Sequence, residues 1–302
     1  MAEVLTNPPL IRGEPMVQRP VRALLGWLNE AEAYQFLLGR QPTPADDVTA
    51  LRQQWLAARS VVASRPPYAA PNIIVEMDDP ALVEAIHTRP EIQAAFPGQQ
   101  WRPAYVELSQ VVSLQKLIHL EGLEARVADI RADSSELLEL CLPTSQQLPP
   151  SGAILDLDNK GLTISSLNPN LRIIGNQLAE AQISLAPGLP PVRVQAVTIL
   201  VSIGSSYLNV AWYQNRLILR DGYHRAAALL RAGISCVPCL VVEVRSLEEL
   251  GCPPGAVAYD VLFGERPPTL GDFWDESVTC EVMRPAIRKV LRIRGDEFVV
   301  PL

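Results

Sequence analysis

The segment Leu217-Ile-Leu-Arg-Asp-Gly-Tyr-His-Arg-Ala-Ala-Ala-Leu-Leu-Arg-Ala-Gly233 narrows the folds open to this chain more than any other. An apolar run of strand character ends at Asp221-Gly222, and an alanine-rich helix starts at once. Gly233 stands just past that helix, where a left-handed residue ends it. Val237 to Val244 is nearly all apolar, which predicts a strand covered on both faces, central in a sheet. Tyr223, His224 and Arg225 fall on the first helical turn. The N–H groups of a first turn have no partner within the helix, and the helix dipole favours an anion beside them. Gly222 lets a phosphate come close to the backbone, and Arg225 can grip it through paired N–H bonds. His224 suits a general acid or a hydrogen-bond donor to phosphate. Asp221 suits a helix cap, or a group that positions magnesium or an acceptor hydroxyl. The same residues also suit a plain helix start, with Arg225 paired to a surface carboxylate.

The chain has 302 residues, 48% of them hydrophobic and 20% charged, enough for a packed core in one large domain or two smaller ones. Residues 1 to about 20 read as an extended arm broken by prolines. Spacing predicts a helix over Val21–Leu38 and a second through Ala63, capped by Asp46 or Asp47. Asn72–Glu76 reads as a short strand, and Asp79-Pro80 opens a further helix. Tyr105–Leu108 alternates as a strand and leads into a helix carrying Val112, Leu114, Leu117 and Ile118. Another helical run covers Leu123–Leu142, and Pro143–Gly152 reads as a linker or exposed loop. Strand signals dominate after it. Asp158–Gly161 is a hairpin turn, Val192–Ile203 and Leu208–Tyr213 are β-rich, and Gln214-Asn215 is a tight turn into Arg216–Leu219. Ser246 with Glu249 forms a capping-box pattern. The tail ends in a basic run, Arg284–Arg294, and a strand-like Glu297–Pro301. These patterns predict an α/β or α+β protein: a mainly helical N-terminal region (1–104), a core (105–250), and a C-terminal extension packed on the core (251–302).

The order strand, Asp-Gly-x-x-Arg turn, alanine-rich helix, glycine, and strand opening at Val237-Pro238 resembles the ParB/sulfiredoxin-like superfamily, over roughly Tyr207 to Val244. In that superfamily the turn binds nucleotide phosphates, which implies ATP, ADP or CTP with Mg²⁺ here. Gly222 and Arg225 carry over from the Gly-x-x-Arg pattern. The turn is closest to the Asp-Gly-His-His-Arg of ADP-dependent free-serine kinases, with Tyr223 as the departure. Sulfiredoxins keep their reactive cysteine where Tyr223 stands, so their thiol chemistry should be absent. The resemblance implies binding at Gly222, Tyr223, His224 and Arg225, with Asp221 and His224 as candidates for phosphoryl transfer or nucleotide hydrolysis. A non-enzymatic ParB-like scaffold, with a protein partner on the N-terminal region, is the alternative.

Other patterns carry less. The formal charge of -7 and the lack of a helix-turn-helix after Val244 argue against sequence-specific DNA binding. The N-terminus lacks a signal-peptide pattern and no apolar run is long enough to span a bilayer, so the expectation is a cytoplasmic protein away from membranes. Five cysteines suggest reduced thiols. Cys236 and Cys239 fit C-x-x-C, but in a strand they point to opposite faces and read as packing residues. Asp156–Gly161 begins like a calcium loop, yet Lys160 and Leu167 stand where ligands are needed, and no metal-ligand set is expected. Arg284–Arg294 reads as a solvated face, and Asn168–Arg172 as a plain loop. His87 and His119 fall in helical patterns and read as ordinary, partly buried residues.

Overall fold

The structure is a computed structural model that describes residues 17–294, apart from 70–73, 97, 122, 124–126, 129, 133, 144–153, 159–160, 167–170, 185–189, 204–206, 253–254 and 287–288. It mixes helices and strands, an α+β protein. The long helix expected from Val21 is not there. β1 (Gln18–Ala23) contains Pro20, which has no N–H to give a helix, and it is held along both edges by other strands. A 3-10 turn at Leu25–Trp27 follows. α1 (Glu30–Leu38) begins only after Asn29, whose side chain accepts the Glu32 N–H while Glu32 accepts the Asn29 N–H. The helical spacing of Leu24, Leu25 and Leu28 arises because this whole turn is buried, not one face of a helix.

α2 (Thr49–Ser64) has Val48 at its N-cap, not an aspartate. Asp47 instead accepts the Thr49 N–H at 3.0 Å, and Asp46 pairs with Arg40 at 2.5 Å. β2 (Ile74–Glu76) precedes α3 (Pro80–His87), where Asp79 accepts the Ala81 and Leu82 amides and Pro80 takes the first position as expected. α4 (Pro90–Ala95) and β3 (Trp101–Glu107) come next. The helix expected over Val112–Ile118 is replaced by β4 (Val112–Ser113) and β5 (Leu117–His119). Pairing with distant chain decides this: Val112 sits beside Ile218 and bridges Thr269, and Leu117 sits beside Ala23. α5 (Ser135–Cys141) occupies part of the expected run to Leu142. The linker Pro143–Gly152 lies, beyond its first residue, outside the described residues.

β6 (Ile154–Asp158) and β7 (Gly161–Ser166) form the expected hairpin, with Asp158 opposite Gly161. β8 (Leu171–Ile183) and β9 (Val192–Ile203) form a longer one, of which only the second strand is legible in full. β10 (Asn209–Tyr213) and β11 (Arg216–Asp221) join through Gln214-Asn215 at φ 46° and 60°, the positive pair that a tight two-residue hairpin needs. α6 (Tyr223–Arg231), β12 (Cys236–Glu243), α7 (Leu247–Leu250), α8 (Tyr259–Leu262), β13 (Cys280–Pro285) and β14 (Lys289–Arg294) complete the order.

The chain divides into two compact units, Met1–Leu137 with Leu208–Ala286, and Leu138–Tyr207 with Ile287–Leu302. The first holds a six-stranded sheet, β2-β3-β12-β10-β11-β4, and a three-stranded sheet, β13-β1-β5. β12 is inside the larger sheet, parallel to β10 and antiparallel to β3, and its middle residues are buried, as its apolar run predicts. Ala104, Val106, Val210, Ile218, Val237 and Leu240 are fully buried there. A second cluster packs Val21, Leu25, Phe36 and Cys280 around Trp55, whose Nε1–H donates to the Leu28 carbonyl at 2.9 Å. The other unit holds the sheet β14-β7-β6 and the ribbon β8-β9. Among the described residues no helix is long and apolar enough to cross a membrane.

Ion pairs stitch distant parts of the first unit together. Arg65 forks onto Asp272 and Asp275, each at 2.6 Å, with its guanidinium over the Trp27 ring. Burial pushes the Asp275 carboxyl up, but hydrogen bonds from Ser277 and Arg65 outweigh it and hold the group below the ordinary carboxylate value. Burial likewise raises Glu107, and the Ser109 and Ser235 hydroxyls bring it below. A carboxyl depressed on folding adds stability that is present above its unfolded value and is lost as pH falls through its folded one. Urea denaturation followed from neutral pH downward should show stability declining through and below the ordinary carboxylate range. Asp275→Asn should flatten that decline, and identical pH slopes in the two proteins would assign the acid sensitivity elsewhere.

Candidate functional site

β11 is sealed by its neighbours at Leu217, Ile218 and Leu219, and the chain leaves the sheet at Asp221. Of the two roles that the sequence suits Asp221 for, a helix cap or a group that positions magnesium or an acceptor hydroxyl, it does not take the first. Its Oδ1 instead accepts the Gly222 N–H at 2.6 Å, and Gly222 itself is the N-cap of α6, with no side-chain cap. Gly222 is left-handed, at φ 96° and ψ 17°. A Cβ there would stand 3.2 Å from Leu208 Cγ, 3.3 Å from Leu208 Cα and 3.3 Å from Arg225 Nη2. Both the backbone twist and the space thus call for glycine. The helix then closes its first bond, Ala226 N–H to Gly222 O at 2.8 Å.

The three side chains after Gly222 part company. Tyr223, read from the sequence as a ligand-facing residue, turns into the core at 4% exposure. Its hydroxyl donates to the Leu219 carbonyl at 2.7 Å and accepts the Leu114 N–H at 2.7 Å, and burial pushes the phenol far above its ordinary value. Its side chain is therefore committed to packing, and the part of Tyr223 left at the turn is its backbone. Arg225 is also largely buried, at 9% exposure, with Nη2 beside Gly222. His224 is half-buried and stacks on His119, ring centroids 6.0 Å apart and planes 18° apart.

His119 is the residue that sequence reading missed at this turn. It lies on β5 rather than in a helix, and nothing in local spacing links it to His224; the rarity of histidine, three in the chain, is the available signal. Burial depresses the His119 imidazole, Arg19 depresses it further, and Glu121, which is ion-paired to Arg19, opposes them. Arg220 flanks the turn, with Nη1 3.4 Å from Gln99 Oε1.

The other candidates lie apart. Cys236 and Cys239 lie on β12, neither in a disulfide, one exposed and one buried, and burial with Glu107 raises the Cys236 thiol. His87 ends α3 and stacks on Trp101 at 4.7 Å. Arg284 lies over the Phe36 ring at 5.0 Å. Most of Asn168–Arg172, and the Arg172 side chain, lie outside the described residues. A cavity of about 360 Å³ beside Trp212 and Glu243 and another of about 290 Å³ beside Trp27 and Tyr68 are not lined by the turn. Among the described residues no group of three or more His, Cys, Asp or Glu could hold a metal. Asp221 gives the turn one carboxylate, which suits magnesium only as an ion carried on nucleotide phosphates.

No protein-family model, curated protein or solved structure matches this chain.

Gly222→Ala should cost about 1–3 kcal/mol in denaturant unfolding, from backbone strain and the contact with Leu208; an unchanged midpoint would contradict the tight turn. Tyr223→Phe strands the buried Leu114 amide and should cost about 1–3 kcal/mol by the same measurement. In an NMR titration His119 should titrate below an ordinary histidine, and Glu121→Gln should lower it again, since the carboxylate that opposes the shift is gone. An upward move on that substitution would reverse the assignment.

Proposed function

We propose that the chain binds a nucleotide, ATP, ADP or CTP with Mg²⁺, through phosphates seated on the Asp221–Arg225 turn. The observation that carries this reading is Gly222: a left-handed residue at the start of a nine-residue helix, closely approached by Leu208 and by the guanidinium of Arg225. A helix start of that kind favours an anion through its backbone N–H groups and its dipole. In this reading Arg225 and the dipole of the first turn of α6 hold the phosphates, with the Gly222 amide engaged by Asp221, and His224 donates a hydrogen bond or a proton to them. His119 supports the His224 ring from behind. Asp221 orients an acceptor hydroxyl or the ion on the phosphates. Bound magnesium would neutralise phosphate charge. The reaction class is phosphoryl transfer or nucleotide hydrolysis.

A second reading shares the turn: a ParB-like scaffold that holds nucleotide without turnover and meets a protein partner through its N-terminal region. Asp221 favours it, because the Gly222 amide already engages one of its carboxylate oxygens. Phosphate released from nucleotide by the pure protein separates the two readings.

Ligand bound to the folded state raises apparent stability, so a thermal-shift panel of nucleotides, with and without Mg²⁺, identifies the base and the phosphate count. Arg225→Ala should weaken the best nucleotide by about 1.5–3 kcal/mol, on the order of tenfold or more, with circular dichroism confirming the fold. An unchanged dissociation constant in the folded variant rejects the phosphate role.

A further inference from the structure

The ribbon β8-β9 poses a problem that the other described residues of its unit do not solve. It pairs from Leu171↔Ile203 to Ile183↔Val192, and its sheet contains no other strand among the described residues. Residues 176–180, 182–183, 192–193, 195 and 197–198 are exposed. Leu178 and Val197, opposite each other on one face, are 70% and 67% exposed. A two-stranded hairpin on its own is marginal in water, and stability comes with further strands.

The outer edge of β9 is built to be paired. Its sequence, Val192-Arg-Val-Gln-Ala-Val-Thr-Ile-Leu-Val-Ser-Ile203, is rich in β-branched residues, carries one charge, and has no proline and no glycine. Natural edges are usually guarded by lysines, prolines, bulges or cover. The one irregularity of the ribbon, at Ile173/Gly175, is on β8. Both charges whose side chains are described, Glu180 and Arg193, make no ion pair among the described residues.

We propose that this edge of β9 pairs antiparallel with the same edge of a second copy of the chain, making one four-stranded sheet about a two-fold axis near Gln195 and Ala196. Charge pattern selects the occupant. With the axis at Gln195, Arg193 faces Val197 of the second copy; with the axis at Ala196, it faces Ile199. No like charges meet in either register, and each brings one β-branched pair together on both sides of the axis, Val192 with Thr198 or Val194 with Thr198. A strand with a single off-centre charge is thus self-complementary, and a two-fold axis closes the assembly at two chains rather than a fibre.

The full chain should sediment as a dimer. Gln195 is exposed, so Gln195→Lys and Gln195→Glu should both fold, by circular dichroism, and each should weaken self-association on the order of tenfold or more, because the new charge meets its own copy directly with the axis at Gln195 and diagonally with the axis at Ala196. An equimolar mixture of the two variants should restore the dimer. In the wild type, hydrogen exchange of the β9 amides should slow as protein concentration rises. A wild type that stays monomeric, single variants that dimerise like the wild type, a mixture that stays monomeric, or β9 exchange independent of concentration would each overturn the proposal.

Discussion

The Tyr223 hydroxyl stands between the Leu219 carbonyl and the Leu114 amide, and the geometry of the turn follows from that position. The phenol draws the first residue of α6 back under the end of β11 and fastens both to the chain leaving β4. With the helix start pinned to the strand end, the residue between them must take a left-handed twist, which Gly222 supplies. Leu208 then fills the space that a side chain at 222 would have used. Successive helical positions are rotated by about a third of a turn, so one inward tyrosine also decides where its two followers point. His224 goes toward β5 and Arg225 folds back on the glycine.

The strand–turn–helix–strand of this region was legible because each signal in it is local. Apolar runs, Asp-Gly, an alanine-rich stretch and Gly233 each act on their own neighbours, and β11, α6 and β12 formed where those signals lie. Gln214-Asn215 and the β6/β7 hairpin were legible for the same reason. β1, β4 and β5 were not. They are short, their apolar spacing fits a helix, and what makes them strands is a partner far along the chain. Tyr223 was misplaced by its own chemistry: a phenol counts as polar in a pattern, yet its ring is as apolar as a core residue and its hydroxyl needs a partner when buried. His119 reaches the site only through β5, so the same long-range pairing hid it.

Arginine does much of the fastening in the first unit. Arg216 donates to the carbonyls of Leu262, Phe263 and Gly264, which closes the end of α8. Arg65 joins the end of α2 to Asp272 and Asp275. Arg22 and Arg231 both lie against the Trp274 ring, at 5.2 and 5.5 Å. A planar guanidinium can stack and donate several hydrogen bonds at once, so it bridges segments that an ammonium would leave apart. In a chain of net charge -7, these cations are spent on internal joints rather than on a basic surface.

The ladder between β1 and β13, from Gln18↔Pro285 to Ala23↔Cys280, joins segments far apart in the sequence. During synthesis β1 leaves the ribosome long before its partner strand. Until then β1 can hold only the short ladder Val21–Ala23 against Leu117–His119. The Trp27 indole also waits for the Arg266 carbonyl, and Arg65 for its two aspartates. Non-local contacts of this kind close late and leave apolar surface uncovered meanwhile. Until β13 is made, Leu25, Leu28 and Phe36 lack the strand beside β1 that completes their cluster, so this part of the first unit cannot finish folding locally.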